Sequence, residues 1–419
     1  MKENSSSFSR RKYLTLTGAV VAGMGGLAGC AGGDGGSSGD SGSDGGYSSG
    51  GSSGPVEILH GWTGGDGAEA LESAFNEAYP DVNAEFNAIG GGGNENLDAV
   101  VANRLQSNDP PGTFANWPGP NLKRYEGALG SVDDVWSANE YEDVMIDEAR
   151  DLHRQNGSYR AGVDPESLNS VSALADALDT VANNTDKIPF THGMSGTWTT
   201  TQLFEAMMLG QEGFDAYMDF INGEPSKGAV RATFESTATV LDNYVSDDAS
   251  SIGLTESNQN IINGDAAFIH QGNWCAGAYR NAEDFSYNED WGFKTFPGTE
   301  GMYSLHFDSF LYPADNPTPE ATKTYLKFVG SQEAQIAYNQ FKGSIPTRTD
   351  VSLDEFGPFL KETAEDFAEA DQRPPNLQHG LGVSSEIRTA LNEVVSSEFT
   401  GPYDIEAATQ GFIDAVSSS

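Results

Sequence analysis

Cationic side chains are scarce in this chain: 22 Lys and Arg stand against 62 Asp and Glu in 419 residues, a formal net charge of -40. So acidic a surface repels nucleic acid and anionic lipid, which excludes both as partners of the folded surface. Cysteine is scarcer still. With only Cys30 and Cys275, the chain is no small disulfide-stapled fold. The six histidines are scattered, and no HExxH or clustered His/Cys spacing occurs, so neither a metal nor a cofactor is expected. The Gly run at 90–93 lacks the Lys-Ser/Thr that a phosphate loop needs, and no Rossmann fingerprint appears. There is no internal repeat, and the apolar run from Tyr13 to Val21 is too short to span a bilayer.

What is present belongs to a globular protein. Hydrophobic residues make up 37% and aromatics 10%, in a chain long enough for two domains with separate cores. The acid is spread along the sequence instead of gathering in a tail, so it reports a salty habitat more than a function. Nearly every individual carboxylate reads as a solvated surface group.

Residues 9–16 read SRRKYLTL, with Arg10 and Arg11 ahead of the apolar run, and LAGC closes at Cys30. This resembles a twin-arginine export signal ending in a lipoprotein box, of the haloarchaeal type. It implies that residues 1–30 are the signal, that Cys30 carries lipid, and that the protein sits on the outer face of the cytoplasmic membrane. Residues 31–55 are almost all Gly, Ser and Asp, unable to form a core, and read as a flexible tether. If Cys30 is the anchor, Cys275 has no partner and is expected to be a buried packing thiol.

Beyond the tether, VEILHGW (56–62) reads as a strand, and AEALESAFNEAYP puts Leu71, Phe75 and Ala78 on one helical face. VNAEFNAIG alternates as a half-buried strand, NENLDAVVANRLQS forms a second helix, and DPPGTFANW returns to the sheet. Further on, 232–245 is helical, and IINGDAAFIHQGNWCAGAY reads as helix end, glycine stop, buried strand, then a turn opening a helix. SLHFDSFLYP is another strand, and ATKTYLKFVGSQEAQIAYNQF a pair of helices. Strands alternating with helices predict parallel sheets with ligands at the strands' carboxyl ends, where Trp62, Trp117 and Trp274 fall.

GWTGGDG, DPPGTFANWPG, NGDAAFIHQGNWCAGAY, FDSFLYP, FKGSIPTR and LQHG, in this order after a lipobox and tether, resemble family 1 of the extracellular solute-binding proteins of sugar ABC transporters. The likeness covers nearly all of 55–419 and points to the branch that binds glucose, galactose or mannose. It implies an α/β, two-lobed periplasmic-binding-protein fold, type II-like, with hinge strands and a ligand cleft between the lobes. Lobe 1 would comprise 56–160 and 312–342, and lobe 2 would comprise 161–311 and 343–419. It further implies a monomer that catalyses nothing, captures a glucose-like monosaccharide and delivers it to permease subunits. The family's sugar contacts carry over to Trp62, Asp66, Trp117, Trp274, Asp308, Lys342 and His379, with Asn96 a weaker candidate. Trp117 replaces a histidine and Asn273 an aspartate of close relatives.

These residue types suit a sugar. A pyranose offers an apolar C–H face to a ring and hydroxyls to ionised groups, and such hydrogen bonds are worth roughly 1.5–3 kcal/mol each. At about 1 M salt the Debye length is ~3 Å, so contact recognition of a neutral solute loses little while long-range attraction fails. Each candidate has an ordinary reading beside it: the tryptophans as packing residues, Asp308 as a solvated turn carboxylate, His379 as a surface histidine, Lys342 as a neutraliser of nearby acids. Two other classes stay open: a secreted glycoside hydrolase, which needs two carboxylates flanking one bond, and an adhesion or surface-layer protein on a stalk. The chain also departs from the family. Tyr159-Arg160-Ala161 runs straight into Gly162-Val163-Asp164-Pro165, so about two dozen residues, a hinge crossing and a strand, are expected to be missing near 161–162.

Overall fold

The computed structural model of the chain describes residues 54–62, 67–90, 95–125, 127–140, 157–159 and 168–417. Two separate four-stranded sheets organise them. The first holds β1 (Val56–His60), β2 (Ala84–Ala88), β3 (Thr113–Asn116) and β8 (Ser309–Leu311) in the order β2-β1-β3-β8. The second holds β4 (Gly157–Tyr159), β5 (Ile188–Phe190), β6 (Ala266–Phe268) and β7 (Gly292–Lys294) in the order β5-β6-β4-β7. The strand and helix segments expected from hydrophobic periodicity are found, each within a few residues of its predicted span.

Helices α1 (Gly67–Ala78), α2 (Glu95–Gln106) and α3 (Asp133–Ala138) accompany the first sheet. Apolar positions at helical spacing explain α1: Leu71 and Phe75 are buried in the core that also takes Val56 and Ile58 of β1. The second sheet is surrounded by α4 (Val171–Asn184), α5 (Thr197–Glu212), α6 (Phe214–Ile221), α7 (Lys227–Asn243), α8 (Leu254–Ile262) and α9 (Cys275–Arg280). After β8 follow α10 (Pro319–Val329), α11 (Gln332–Lys342), α12 (Pro358–Glu369), α13 (Ser385–Glu398) and α14 (Ile405–Ser417). Ser170, Ser226, Ser331 and Ser384 cap α4, α7, α11 and α13, each accepting a backbone N–H in the first turn. The largest core lies in the second lobe, where Phe204, Phe234 and Phe412 meet with ring centroids 4.6–4.7 Å apart.

The expectation of parallel sheets holds in part. β1 pairs parallel with β2 and β3, and β5 with β6, but β8 runs antiparallel to β3, and β4 antiparallel to both β6 and β7. β8 comes from the second lobe, so its direction is set by the crossing and not by a helical return. Strand membership also differs from the proposed lobe limits by a few residues: 157–159 pairs in the second sheet and 309–311 in the first. The apparent deletion near 161–162 and the signal and tether at 1–53 lie outside the described residues.

Candidate functional site

Where chain leaves the strands, their side chains converge. Trp62 follows β1 by two residues and Trp117 follows β3 directly, while Trp274 stands on the turn between β6 and α9. That turn is shaped by Trp274 itself, whose ring folds back over Gly272 so closely that a Cβ there would sit 2.3 Å from it. The start of α9 is in turn clamped to the end of α11. Gly343 terminates α11 at φ +91, and a Cβ on it would lie 2.6 Å from the Asn273 carbonyl oxygen. Lys342, the last residue of α11, is thereby fixed beside Trp274.

Asn273, Trp274, His306, Asp308, Tyr338 and Lys342 are among the residues lining a cavity of about 100 Å³. Lys342 donates to Asp308 Oδ2 in a partly buried ion pair. Its ammonium lies 4.9 Å from the Tyr338 ring centroid and 5.3 Å from that of Trp62. The two charges cancel, so this wall is neutral yet rich in donors and acceptors. His306 Nε2 stands 3.6 Å from Asp308 Oδ1, beyond hydrogen-bonding range. The Tyr338 hydroxyl, His306 Nε2 and the Trp62 indole N–H are buried and make no hydrogen bond among the described residues. Such groups are costly unless a polar partner meets them.

Behind the cavity, aromatic rings form a continuous block. His379 packs edge-on to Trp117 at 5.0 Å and to Trp274 at 5.1 Å, and its ring centroid is 4.1 Å from that of His306. Trp198 approaches His379 at 6.3 Å. Asn376 fixes His379 by accepting its backbone N–H and meeting Nδ1 at 2.7 Å. Burial, reinforced by Lys342, holds His306 well below the usual imidazole pKa, and burial with the neighbouring His306 does the same to His379. Both rings are therefore neutral near pH 7.

The structure thus gathers Trp274, Asp308 and Lys342 at the cavity, with Trp62 against Lys342. Trp117, only 3% exposed, and His379 are stacked one layer behind. Asn96 is exposed and donates to the Gly90 carbonyl on the surface, away from the cavity lining. Asp66 lies outside the described residues. Sequence reasoning missed His306, Tyr338, Asn339 and Gln335. A signal existed: Gln335, Tyr338, Asn339 and Lys342 fall on one face of α11 by helical spacing, and His306 alternates with Asp308 as on an extended segment. Cys275 is free and buried, as expected, and its thiol is pushed up to about 12 by desolvation.

A second cavity of about 60 Å³ lies within the second lobe, lined in part by Phe190, Gln202, His270, Gln271 and Glu205. It holds none of the candidates read from the sequence. Glu205, raised to about 7 by burial, already accepts from Ser304, Asn376, Tyr217 and the Leu377 N–H, the arrangement of a structural carboxyl. Among the described residues no group of three His, Cys, Asp or Glu is placed to hold a metal, and no helix is long and apolar enough to cross a membrane.

Residues 132–368 match the family model of bacterial extracellular solute-binding proteins. The chain belongs to this family. It is 42% identical over 398 residues to the xylose/arabinose-binding protein XacG of Haloferax volcanii, covering 89% of this chain and 87% of that one. An uncharacterized ABC transporter extracellular-binding protein of Pyrococcus horikoshii is 30% identical over 393 residues, covering 86% and 87%. Among solved structures, the bacterial solute receptor AcbH superposes with a TM-score of 0.73 at 16% identity over 87% of this chain and 97% of its own. A chitin oligosaccharide binding protein gives 0.73 at 17%, over 87% and 98%. These last two likenesses bear on the fold, which is the two-lobed one. Members of the family bind solutes and are not enzymes.

Proposed function

We propose that this solute-binding protein is the sugar receptor of an ABC importer, capturing a neutral monosaccharide and passing it to membrane permease subunits. The observation that carries this reading is the cavity. One tryptophan face, one mutually neutralising Asp–Lys pair and buried polar atoms without partners among the described residues converge on one small space. A sugar's C–H face meets Trp274, its hydroxyls donate to Asp308 and accept from Lys342, and the site's neutrality discriminates against charged solutes. The described lining holds a single carboxylate, Asp308, which disfavours the hydrolase reading with its need for two.

The resemblance in sequence points to a glucose-like ligand, whereas the relative that is 42% identical is named for xylose and arabinose. We take a pentose as the first candidate and glucose as the second. Export by the twin-arginine route, lipid on Cys30, a monomeric state and work in concentrated salt complete the reading, supported by the N-terminal motif and the charge. The proposed loss of about two dozen residues also has support. The match to XacG runs over 398 positions, but 89% of 419 residues is about 373, so about two dozen positions of that protein face a gap here.

Titration calorimetry and thermal shift with arabinose, xylose, glucose and galactose in molar KCl test the proposal. A tight-binding sugar raises the melting temperature, because it binds only the folded state. No heat and no shift with any of them at millimolar concentration would sink it.

A further inference from the structure

Between the lobes, beside the cavity, lies a buried charge cluster that the sugar contacts do not use. Asp98 of α2 belongs to the first lobe, and Arg388 of α13 to the second, where its neighbours Ile387 and Leu391 pack in the large core. Their side chains are 5% and 3% exposed, and Arg388 Nη2 donates to Asp98 Oδ2 at 3.1 Å. Arg124, from the 3₁₀ turn Gly119–Tyr125, donates to the same oxygen at 2.7 Å. Asp98 Oδ1 accepts from Asn116 Nδ2 at 2.8 Å and from the Tyr125 hydroxyl at 2.9 Å. All the acceptor capacity of this carboxylate is filled, half of it by cations, one of which comes from the opposite lobe.

The cluster reaches the site through Trp117. The Arg388 guanidinium lies 4.8 Å from the Trp117 ring centroid, on a ring whose edge-on neighbour is His379. Asn116 Oδ1 accepts both the Trp117 N–H at 2.7 Å and Asn121 Nδ2 at 2.6 Å, and the Asn121 N–H crosses to the Gly380 carbonyl of the second lobe at 3.2 Å. Asp98 keeps Arg124 however the lobes sit, so the pair acts through Arg388, whose buried guanidinium gains this carboxylate only when the lobes meet, and breaking such a buried pair is costly. When the lobes part, water rehydrates both. The pair therefore favours the arrangement in which Trp117 and Trp274 both pack edge-on to His379.

We propose that Asp98 and Arg388 form an inter-lobe latch that holds the closed state and positions Trp117 behind the sugar, Arg388 being a positioning residue that touches no ligand. The inference rests on the sugar-receptor reading. Its signature is kinetic. A contact made only after closure prolongs residence, so breaking it raises the dissociation rate and leaves the association rate nearly unchanged.

The test compares the full chain with Arg388→Met, the near-isosteric Asp98→Asn and the double variant. Stopped-flow tryptophan fluorescence with arabinose, xylose and glucose, small-angle scattering with and without them, and circular dichroism are the measurements. The expected result is a tenfold or greater rise in dissociation rate for either single variant, less than twofold change in association, and a larger radius of gyration without sugar. The double variant is no worse than the singles. Asp98→Asn keeps the test alive if Arg388→Met fails to fold. Folded variants with wild-type dissociation and wild-type dimensions overturn the latch, as do variants that merely melt earlier with unchanged kinetics. If no sugar binds the wild type but the variants still expand in scattering, the latch stands and the ligand reading falls.

Discussion

At the scale of single residues, the ring of Trp274 and the carboxylate of Asp308 do different work. Trp274 is partly exposed and only fringes the smaller core of the second lobe. Trp274→Ala is therefore expected to cost at least tenfold in sugar affinity, about 1.4 kcal/mol, while shifting the melting temperature by less than about 4 °C. A fall of more than twice that would make Trp274 a core residue. Asp308→Asn leaves the shape but removes the anion, so Lys342 loses its partner and the proposed sugar its charged acceptor. The expected loss is tenfold to a hundredfold by calorimetry, in line with about 1.5–3 kcal/mol for a hydrogen bond to a charged group. The thiol of Cys275, pushed up to about 12 by burial, stays protonated at pH 8 and should not react with a disulfide reagent in the native protein. After denaturation, chain purified from membranes of an exporting host should release one thiol equivalent. Two would show that Cys30 is unmodified.

At the scale of elements, the site depends on how tightly α9 and α11 abut. Gly343→Ala combines a left-handed backbone with a clash against Asn273, so it should lower the urea midpoint and weaken sugar binding together. Binding unchanged in a destabilised variant would show that the junction does not set the site. Much of this geometry was legible: the strands before Trp62, Trp117 and Trp274 announce themselves as short, mostly apolar runs with glycine nearby. The face of α11 was readable too, since Gln335, Tyr338, Asn339 and Lys342 recur at helical spacing. What could not be read was long-range. Nothing local brings His306 onto His379, or drives Arg388, an exposed-looking residue in an ordinary amphipathic helix, beneath Trp117. The direction of β4 and β8 was hidden for the same reason, because very short strands carry no mark of where the chain comes from. β4 touches β6 through one residue pair, Tyr159 with Phe268. Grafting the XacG residues that face the gap in at Ala161 should raise the melting temperature and tighten binding. An ungrafted chain that equals the graft in both disproves the proposed loss.

At the scale of the whole molecule, charge and burial set the conditions under which the fold persists. A net charge of -40 repels itself, so stability should climb with KCl up to the molar range as screening shortens the reach of each carboxylate. Acidification acts in the other direction through the histidines. His60, His192 and His270 are lowered by burial to about 4, 3 and 4, and His306 and His379 are also well below their usual range. In the unfolded chain each titrates near 6.5, so as pH falls below that value the unfolded state takes up protons the folded state refuses. Stability then drops, by up to about 1.4 kcal/mol per pH unit for each fully neutral ring, until the folded pKa is reached. Glu205 opposes this. Raised to about 7, it keeps a proton in the fold that the unfolded chain releases, which adds stability as pH falls from 7 towards 4.5. Asp366, raised to about 6 by burial, and Glu72, also raised by burial, act in the same direction as Glu205. Three carboxyls against five imidazoles still leave a net loss. Urea midpoints at pH 7.5, 6.5 and 5.5 in fixed salt should therefore decline in order, most steeply in the last step, and a flat or rising series would mean that the buried histidines accept protons without unfolding.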